Sequence, residues 1–337
     1  MFKRLTYLAA VFLIFFTFTI TAHADCLPDE AEMAWLSKTI TVWKQVRSEA
    51  LSLDDAKLPW LVLFDEKCVL NINPDAKFFS GTGQALLRML GDESVALYSS
   101  EHNGKVTLPD SSIISPALIS FAATYDSGKR SFFAASLPSI WRKAPHLAAE
   151  KNLETLVRSV YIHELTHTYH RNFFAQLDLI EKGLKDVEVF DDDVVQNVFG
   201  KDVEFRKDFL EEIAIAAKAV ETSDRSSKRK AARQIAGLMS ERRRKFYSKQ
   251  NRVYTKIEDI FLTMEGVANW AAYKAAIVDG LNSGEAKQLI RRGGKYWSQE
   301  QGILLFLLID DLLPNWQKTV FGTDKVSITT LLKQAGR

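Results

Sequence analysis

Cysteine is nearly absent from this 337-residue chain, with Cys26 and Cys68 the only two. Neither belongs to a C-x-x-C pair, which excludes a thiol redox motif and a cysteine-based zinc site. An excess of charge is also lacking, because the formal net charge is only +2. With Lys3 and Arg4 set apart, 42 basic residues balance 42 acidic ones, so nothing draws the whole molecule toward nucleic acid. Beyond residue 20 there is no second apolar run of membrane-spanning length, no internal repeat and no low-complexity tract.

What is present begins with Met1-Phe2-Lys3-Arg4, an apolar run from Leu5 to Ile20, and Ala22-His23-Ala24. This is the layout of a secretory signal peptide over residues 1–24, with a basic start, an apolar middle and an A-x-A cleavage site. An uncleaved anchor is the alternative, since the run is close to spanning length. The expectation is an exported protein, periplasmic or extracellular, with no stable membrane span after cleavage. The remaining 313 residues are enough for a two-lobed enzyme. Export puts both cysteines in an oxidising compartment, where they either pair across a loop of about 40 residues or stay as thiols; the sequence leaves both open.

Trp35, Leu36, Ile40, Trp43 and Val46 recur at helical spacing within residues 28–50, and Trp60–Phe64 and Cys68–Ile72 read as short strands. Ser80-Gly81-Thr82-Gly83 lacks the third glycine and the lysine of a phosphate loop and reads as a plain loop; Gln84–Leu90 reads as a short helix. Strands are expected at 95–98, 105–108, 118–125 and 131–137, separated by turns at Asn103-Gly104 and Ser127-Gly128. The last of these, just before the next helix, either lies at a sheet edge, where it could bind an added peptide strand, or is a paired interior strand. His102 and His146 read as lone loop histidines. Asp186–Asp193 lacks the spacing of a calcium loop and reads as a connection. From Asp208 onward the chain is helix after helix. It includes a basic stretch over 225–252 that reads as a solvated arm, with contact to acidic envelope components as its functional alternative.

The helix expected after Asn152 holds His163-Glu164-Leu165-Thr166-His167. Positions four apart share a helix face, so both imidazoles can reach one Zn2+ while Glu164, one position round, stays near without ligating. That carboxylate is placed to act as general base. Leu156, Val160, His163, His167 and Phe174 fall on one face, which puts the histidines on the buried stripe. Tyr161 and Tyr169 read as packing aromatics. A catalytic zinc needs three protein ligands. Three and six residues beyond His167 stand His170 and Phe173, which excludes the short-spaced three-histidine pattern. A glutamate from a later helix remains.

At this point the sequence resembles the gluzincin group of zinc peptidases, in which H-E-x-x-H is followed at a distance by a helical Glu-Gly-x-Ala-x-Trp/Tyr segment. His163, Glu164 and His167 match the first part, and Glu265, Gly266, Ala268 and Trp270 resemble the second. The resemblance implies Glu265 as the third ligand; the alternative is Glu212 on an earlier helix. It also implies a zincin-like α+β fold. In that fold a mostly antiparallel sheet lobe, residues 25–175, carries the motif helix, and a helical lobe, residues 176–337, carries the third ligand. Where thermolysin-like members have a carboxylate four residues after that ligand, this chain has Asn269, whose amide can still accept from an imidazole N–H. His170 and Tyr273 are the expected donors to a developing oxyanion. The implied function is an exported zinc metallopeptidase acting on peptides or proteins. The alternative is a non-peptidase periplasmic binding or envelope-organising protein on the same scaffold.

Overall fold

A computed structural model describes residues 26–54, 57–81, 86–184, 190–247, 249–291, 294–322 and 327–337. The expected signal peptide, Thr82 and Gly83 of the glycine loop, and the start of the 186–193 connection lie outside these residues. The protein is mixed α+β. Among the described residues the first half of the chain holds eight strands: β1 (Trp60–Phe64), β2 (Cys68–Ile72), β3 (Leu86–Leu90), β4 (Glu93–Glu101), β5 (Val106–Thr107), β6 (Ile113–Ile114), β7 (Ser120–Tyr125) and β8 (Arg130–Ser136). Helix α1 (Glu30–Gln45) precedes them, extended by one π-helical turn to Ala50. It starts where the Asp29 carboxylate accepts from the Glu32 N–H, a side-chain cap for an otherwise unpaired donor.

Six strands form one sheet in the order β3-β4-β2-β1-β8-β7, with only β1 and β8 parallel. Alternation sorts their side chains, since successive strand residues point to opposite faces. Leu61, Leu63, Leu70, Ile72, Phe133 and Ala135 join the main core on the helical side. Trp60, Val62, Phe64, Phe132 and Ala134 form a second core on the other side with Val106 and Leu108, next to the β5–β6 pair. With both faces buried, these strands read as continuous apolar runs. Cys26 and Cys68 are joined by a disulfide that ties the segment before α1 to β2.

Two strand expectations change. Leu86–Leu90 is not helical but an edge strand paired antiparallel to β4 across a turn at Gly91, whose φ is +62°. The pairing partner decides its state, because a five-residue segment such as Leu-Leu-Arg-Met-Leu fits either period. The strand before the motif helix, β8, lies between β1 and β7, so the sheet edge belongs to β7.

The helices follow as α2 (Pro138–Arg142), α3 (Leu153–His167), α4 (Arg171–Glu181), α5 (Val194–Phe199), α6 (Val203–Glu221), α7 (Arg225–Phe246), α8 (Val253–Val278), α9 (Ser283–Arg291), α10 (Trp297–Leu312), α11 (Trp316–Val320) and α12 (Ile328–Ala335). The 26-residue α8 is the axis of this half, buried from Ile260 to Tyr273 without a break, as a helix apolar on all sides must be. Thr155 Oγ1 and Arg158 of α3 both donate to Asp279 at the end of α8, and Lys38 of α1 adds an ion pair at 2.6 Å. Farther along α3, His163 and His167 meet Asn269 and Glu265. The two helices therefore run antiparallel, held in register at both ends.

The basic stretch is only partly a solvated arm. Arg242 and Arg243 of α7 are 1% and 7% exposed. Arg242 bonds Glu212 and Glu258 bidentately, with all four distances 2.9 Å. Arg243 binds Glu258 and Asp259. Burial opposes ionisation of Glu258, but the charges of Arg242 and Arg243 outweigh it and hold its carboxyl near about 2. Lys228 and Lys245 are also engaged, with Asp311 and with Glu204 and Asp208. Among the described residues no helix is long and apolar enough to cross a membrane.

Candidate metal centre

Three side chains converge where α3 crosses α8. His163 Nε2 and His167 Nε2 are 2.9 Å apart, and the Glu265 oxygens lie 3.3 Å and 3.2 Å from them. Among the described residues these form the one group of three or more His, Cys, Asp and Glu ligands close enough to share an ion. A tetrahedral ion about 2.1 Å from each ligand sets neighbouring ligand atoms about 3.4 Å apart, close to this spacing.

The tautomers favour a cation as well. Asn269 Oδ1, an acceptor, stands 3.2 Å from His163 Nδ1. It fixes the proton there and turns the Nε2 lone pair of the neutral ring toward the cluster. His167 Nδ1 faces His170 Nδ1 at 3.2 Å; if His167 donates, its Nε2 lone pair also points inward. Two lone pairs and a carboxylate at these distances repel unless something positive lies between them. Without a metal, a proton takes that part. Burial opposes charge on His163, but Glu265, then Glu164 and Asp192, outweigh it and lift the imidazole to about 9. Burial likewise opposes the Glu265 charge, and the two histidines overcome it and hold the carboxyl well below its ordinary range. The residues present fit a divalent ion with nitrogen and oxygen ligands.

Through His163 the cluster reaches a cavity of about 340 Å³ that Glu164 also lines. Glu164 Oε1 accepts from Ser120 Oγ, 3.3 Å away at the start of β7. The sheet edge and the motif helix therefore meet at this carboxylate. Its lining includes apolar Leu156, Val160, Leu289 and Ile290 and polar Asp192, Asp193, Tyr296 and Gln299.

Other expected site residues lie elsewhere. Glu212 is fully buried among Arg242 and Gln301, the latter 2.7 Å away, and is no part of the cluster. Its acidity serves the helical core. His170 does not face the cavity: it is 1% exposed, touches the Nδ1 edge of His167 and stacks on Phe321 at 5.4 Å, with ring planes 7° apart. Its ring therefore lies at the Nδ1 edge of His167 and not among the residues that line the cavity. Tyr273 is turned to Ser283, with their oxygens 2.9 Å apart, and does not line the cavity. Tyr161 donates to the Ser136 carbonyl and Tyr169 to that of Lys57, both as packing aromatics. His102 Nε2 donates to the carbonyl of Asp65, in the turn between β1 and β2.

Sequence reasoning passed over Asp192, Asp193, Ser120, Tyr296 and Gln299. The acidic run at 191–193 was visible, but its place across the cavity from α3 depends on the packing of α5 and α10. Comparison with family models, with curated proteins and with solved structures gives no match.

Proposed function

We propose that this protein is an exported zinc metallopeptidase of zincin-like architecture, with His163, His167 and Glu265 as metal ligands and Glu164 as general base. The observation that carries the reading is that His163, one member of the three-residue cluster, lines the same cavity as Glu164. A purely structural metal site has no need of a carboxylate at that position. When bound, zinc supplies Lewis acidity toward water and a carbonyl oxygen.

The chain's own groups account for the remaining requirements. Glu164 takes a proton from the attacking water at a carboxylate oxygen and passes it to the departing amine nitrogen. Ser120 orients that carboxylate through its hydroxyl. Asn269 and His170 hold the rings of His163 and His167. The free side of β7 offers unpaired backbone N–H and C=O groups beside Glu164, on which a substrate can lie as an added strand. The Cys26–Cys68 disulfide supports export, since such bonds persist in oxidising compartments.

The test pairs metal content with hydrolysis. Purified protein should carry about one zinc per chain and cleave denatured envelope proteins, and Glu164→Gln should keep the zinc and lose cleavage. Metal-free protein, or full activity in Glu164→Gln, overturns the reading.

A further inference from the structure

Resting on the peptidase reading of this cleft, the geometry points to its substrate class: peptides that bring a cationic group, a Lys or Arg side chain or a terminal ammonium, against Asp192 and Asp193. Both aspartates line the cavity with Glu164, and no lysine or arginine lines it among the described residues. Among the described residues Asp192 Oδ2 receives only neutral donors, Gln299 Nε2 at 3.1 Å and Ser298 Oγ at 3.4 Å. Asp193 Oδ1 is buried without a hydrogen-bond partner. Lys295, whose charge acts on Asp193, is exposed and lies over the Tyr296 ring at 4.9 Å without forming an ion pair. Several other enclosed carboxylates are matched by cations, Asp279 by Arg158 and Lys38, Glu258 by Arg242 and Arg243, and Glu300 by Arg291, while Glu32 accepts from the Ser139 N–H.

Unmatched acid alone does not define a ligand; two other features of the same cavity do. Ser159 and Asn269 line it, are 1% and 7% exposed, and leave Ser159 Oγ and Asn269 Nδ2 without partners. Buried polar atoms without partners are rare in native proteins, and both of these can donate to a carbonyl oxygen. The apolar residues of the lining, Leu156, Val160, Leu289 and Ile290, suit an aliphatic stem. A long basic side chain buries its methylenes along such a surface while its charged head meets the acids. Carbonyl acceptor, apolar stem and cationic head together describe a basic residue within a peptide. Burial first, then Glu265 and Asp193, lift Asp192 to about 7; burial first, then Asp191 and Glu265, lift Asp193 to about 6 against the opposing charge of Lys295.

The experiment measures binding apart from cleavage. Zinc-loaded Glu164→Gln protein is titrated by fluorescence anisotropy at about pH 8 with two labelled, N-acetylated peptides that differ only in a central arginine or its neutral isostere citrulline. A third peptide carries citrulline and a free N-terminus, with the label moved to its C-terminal end. The arginine peptide should bind on the order of tenfold more tightly than the acetylated citrulline peptide. The margin should shrink between about 50 and about 300 mM salt and vanish on adding Asp192→Asn and Asp193→Asn. Tight binding of the third peptide supports the inference and assigns the cation to the chain terminus. Equal binding of all three peptides overturns it, as does an arginine preference that survives both substitutions. If the substituted protein fails to fold, the peptide and salt comparisons on the aspartate-bearing protein decide the matter. Cation-selective binding by a protein whose wild type cleaves none of the peptides sinks hydrolysis alone, whereas cleavage with no cation preference sinks this inference alone.

Discussion

Gly266 and Gly302 meet backbone to backbone where α8 crosses α10: a Cβ added to Gly302 would lie 2.7 Å from the Gly266 nitrogen, and one added to Gly266 2.7 Å from the Gly302 oxygen. Glu265 is the neighbouring residue, so the separation of these helices governs how far its carboxylate reaches toward His163 and His167. In an open helix Gly→Ala gains about 1 kcal/mol. Here the overlap should win, because overpacking a tight contact costs about 1–3 kcal/mol. Gly302→Ala is therefore expected to lower the melting temperature and weaken zinc retention against a chelator. An unchanged chelator titration would show that this crossing does not set Glu265.

The two buried glutamates that sequence reasoning left in competition should separate by phenotype. Glu265→Gln is expected to lose zinc while keeping its far-ultraviolet circular dichroism. Glu212→Gln should keep zinc and lose about 3–5 kcal/mol of stability, because it strips Arg242 of a bidentate partner inside the core. Zinc content and urea unfolding on both variants check the assignment; a zinc-free Glu212→Gln that is still fully folded contradicts it.

Asn269 tests the support of a ligand from behind. Its Oδ1 accepts from His163 Nδ1, and loss of such a partner typically lowers metal affinity about 10–100-fold. Asn269→Ala should fall in that range by competition with a chromophoric chelator. Asn269→Asp should bind zinc at least as tightly as wild type, since a carboxylate raises imidazole basicity more than an amide does.

Acid stability should carry the mark of Glu258. Its folded pKa, about 2, lies below the ordinary 4.5. The stabilisation is therefore fully present above pH 4.5 and lost as pH falls through that value toward 2. The difference corresponds to ~3 kcal/mol. Urea midpoints of wild type and Glu258→Gln should differ by a constant amount above about pH 5 and converge below it. A gap that stays constant down to pH 3 would contradict the assignment.

Reduction of the Cys26–Cys68 bridge should also destabilise the protein. Closing a loop of 42 residues restricts the unfolded chain by about 4 kcal/mol in the entropy account. Unfolding with and without reductant measures it directly, and coincident curves would show that the tie is thermodynamically silent.

Sequence by itself determined what local periodicity controls. His163, Glu164 and His167 share a helix because 3.6 residues per turn puts positions four apart on one face. The strands 60–64 and 68–72 and the long α8 were legible from their apolar runs and bounding turns. What periodicity cannot carry, tertiary structure decided. Glu212 and Glu265 are both buried glutamates in helical sequence, and only the antiparallel register of α3 on α8, held by Arg158 and Asp279, selects Glu265. His170 follows His167 by three residues, yet α3 ends at His167 and the turn swings its ring to the Nδ1 edge of His167 rather than beside the cavity. Leu86–Leu90 is a strand because β4 supplies a partner, and β7 rather than β8 is the edge because chain order does not set strand order. The two cysteines pair because α1 packs on the sheet and brings the segment before it to β2. Asp192 and Asp193 reach the cavity wall through contacts between segments about a hundred residues apart. Short-range spacing says which face a residue occupies; long-range packing says what that face meets.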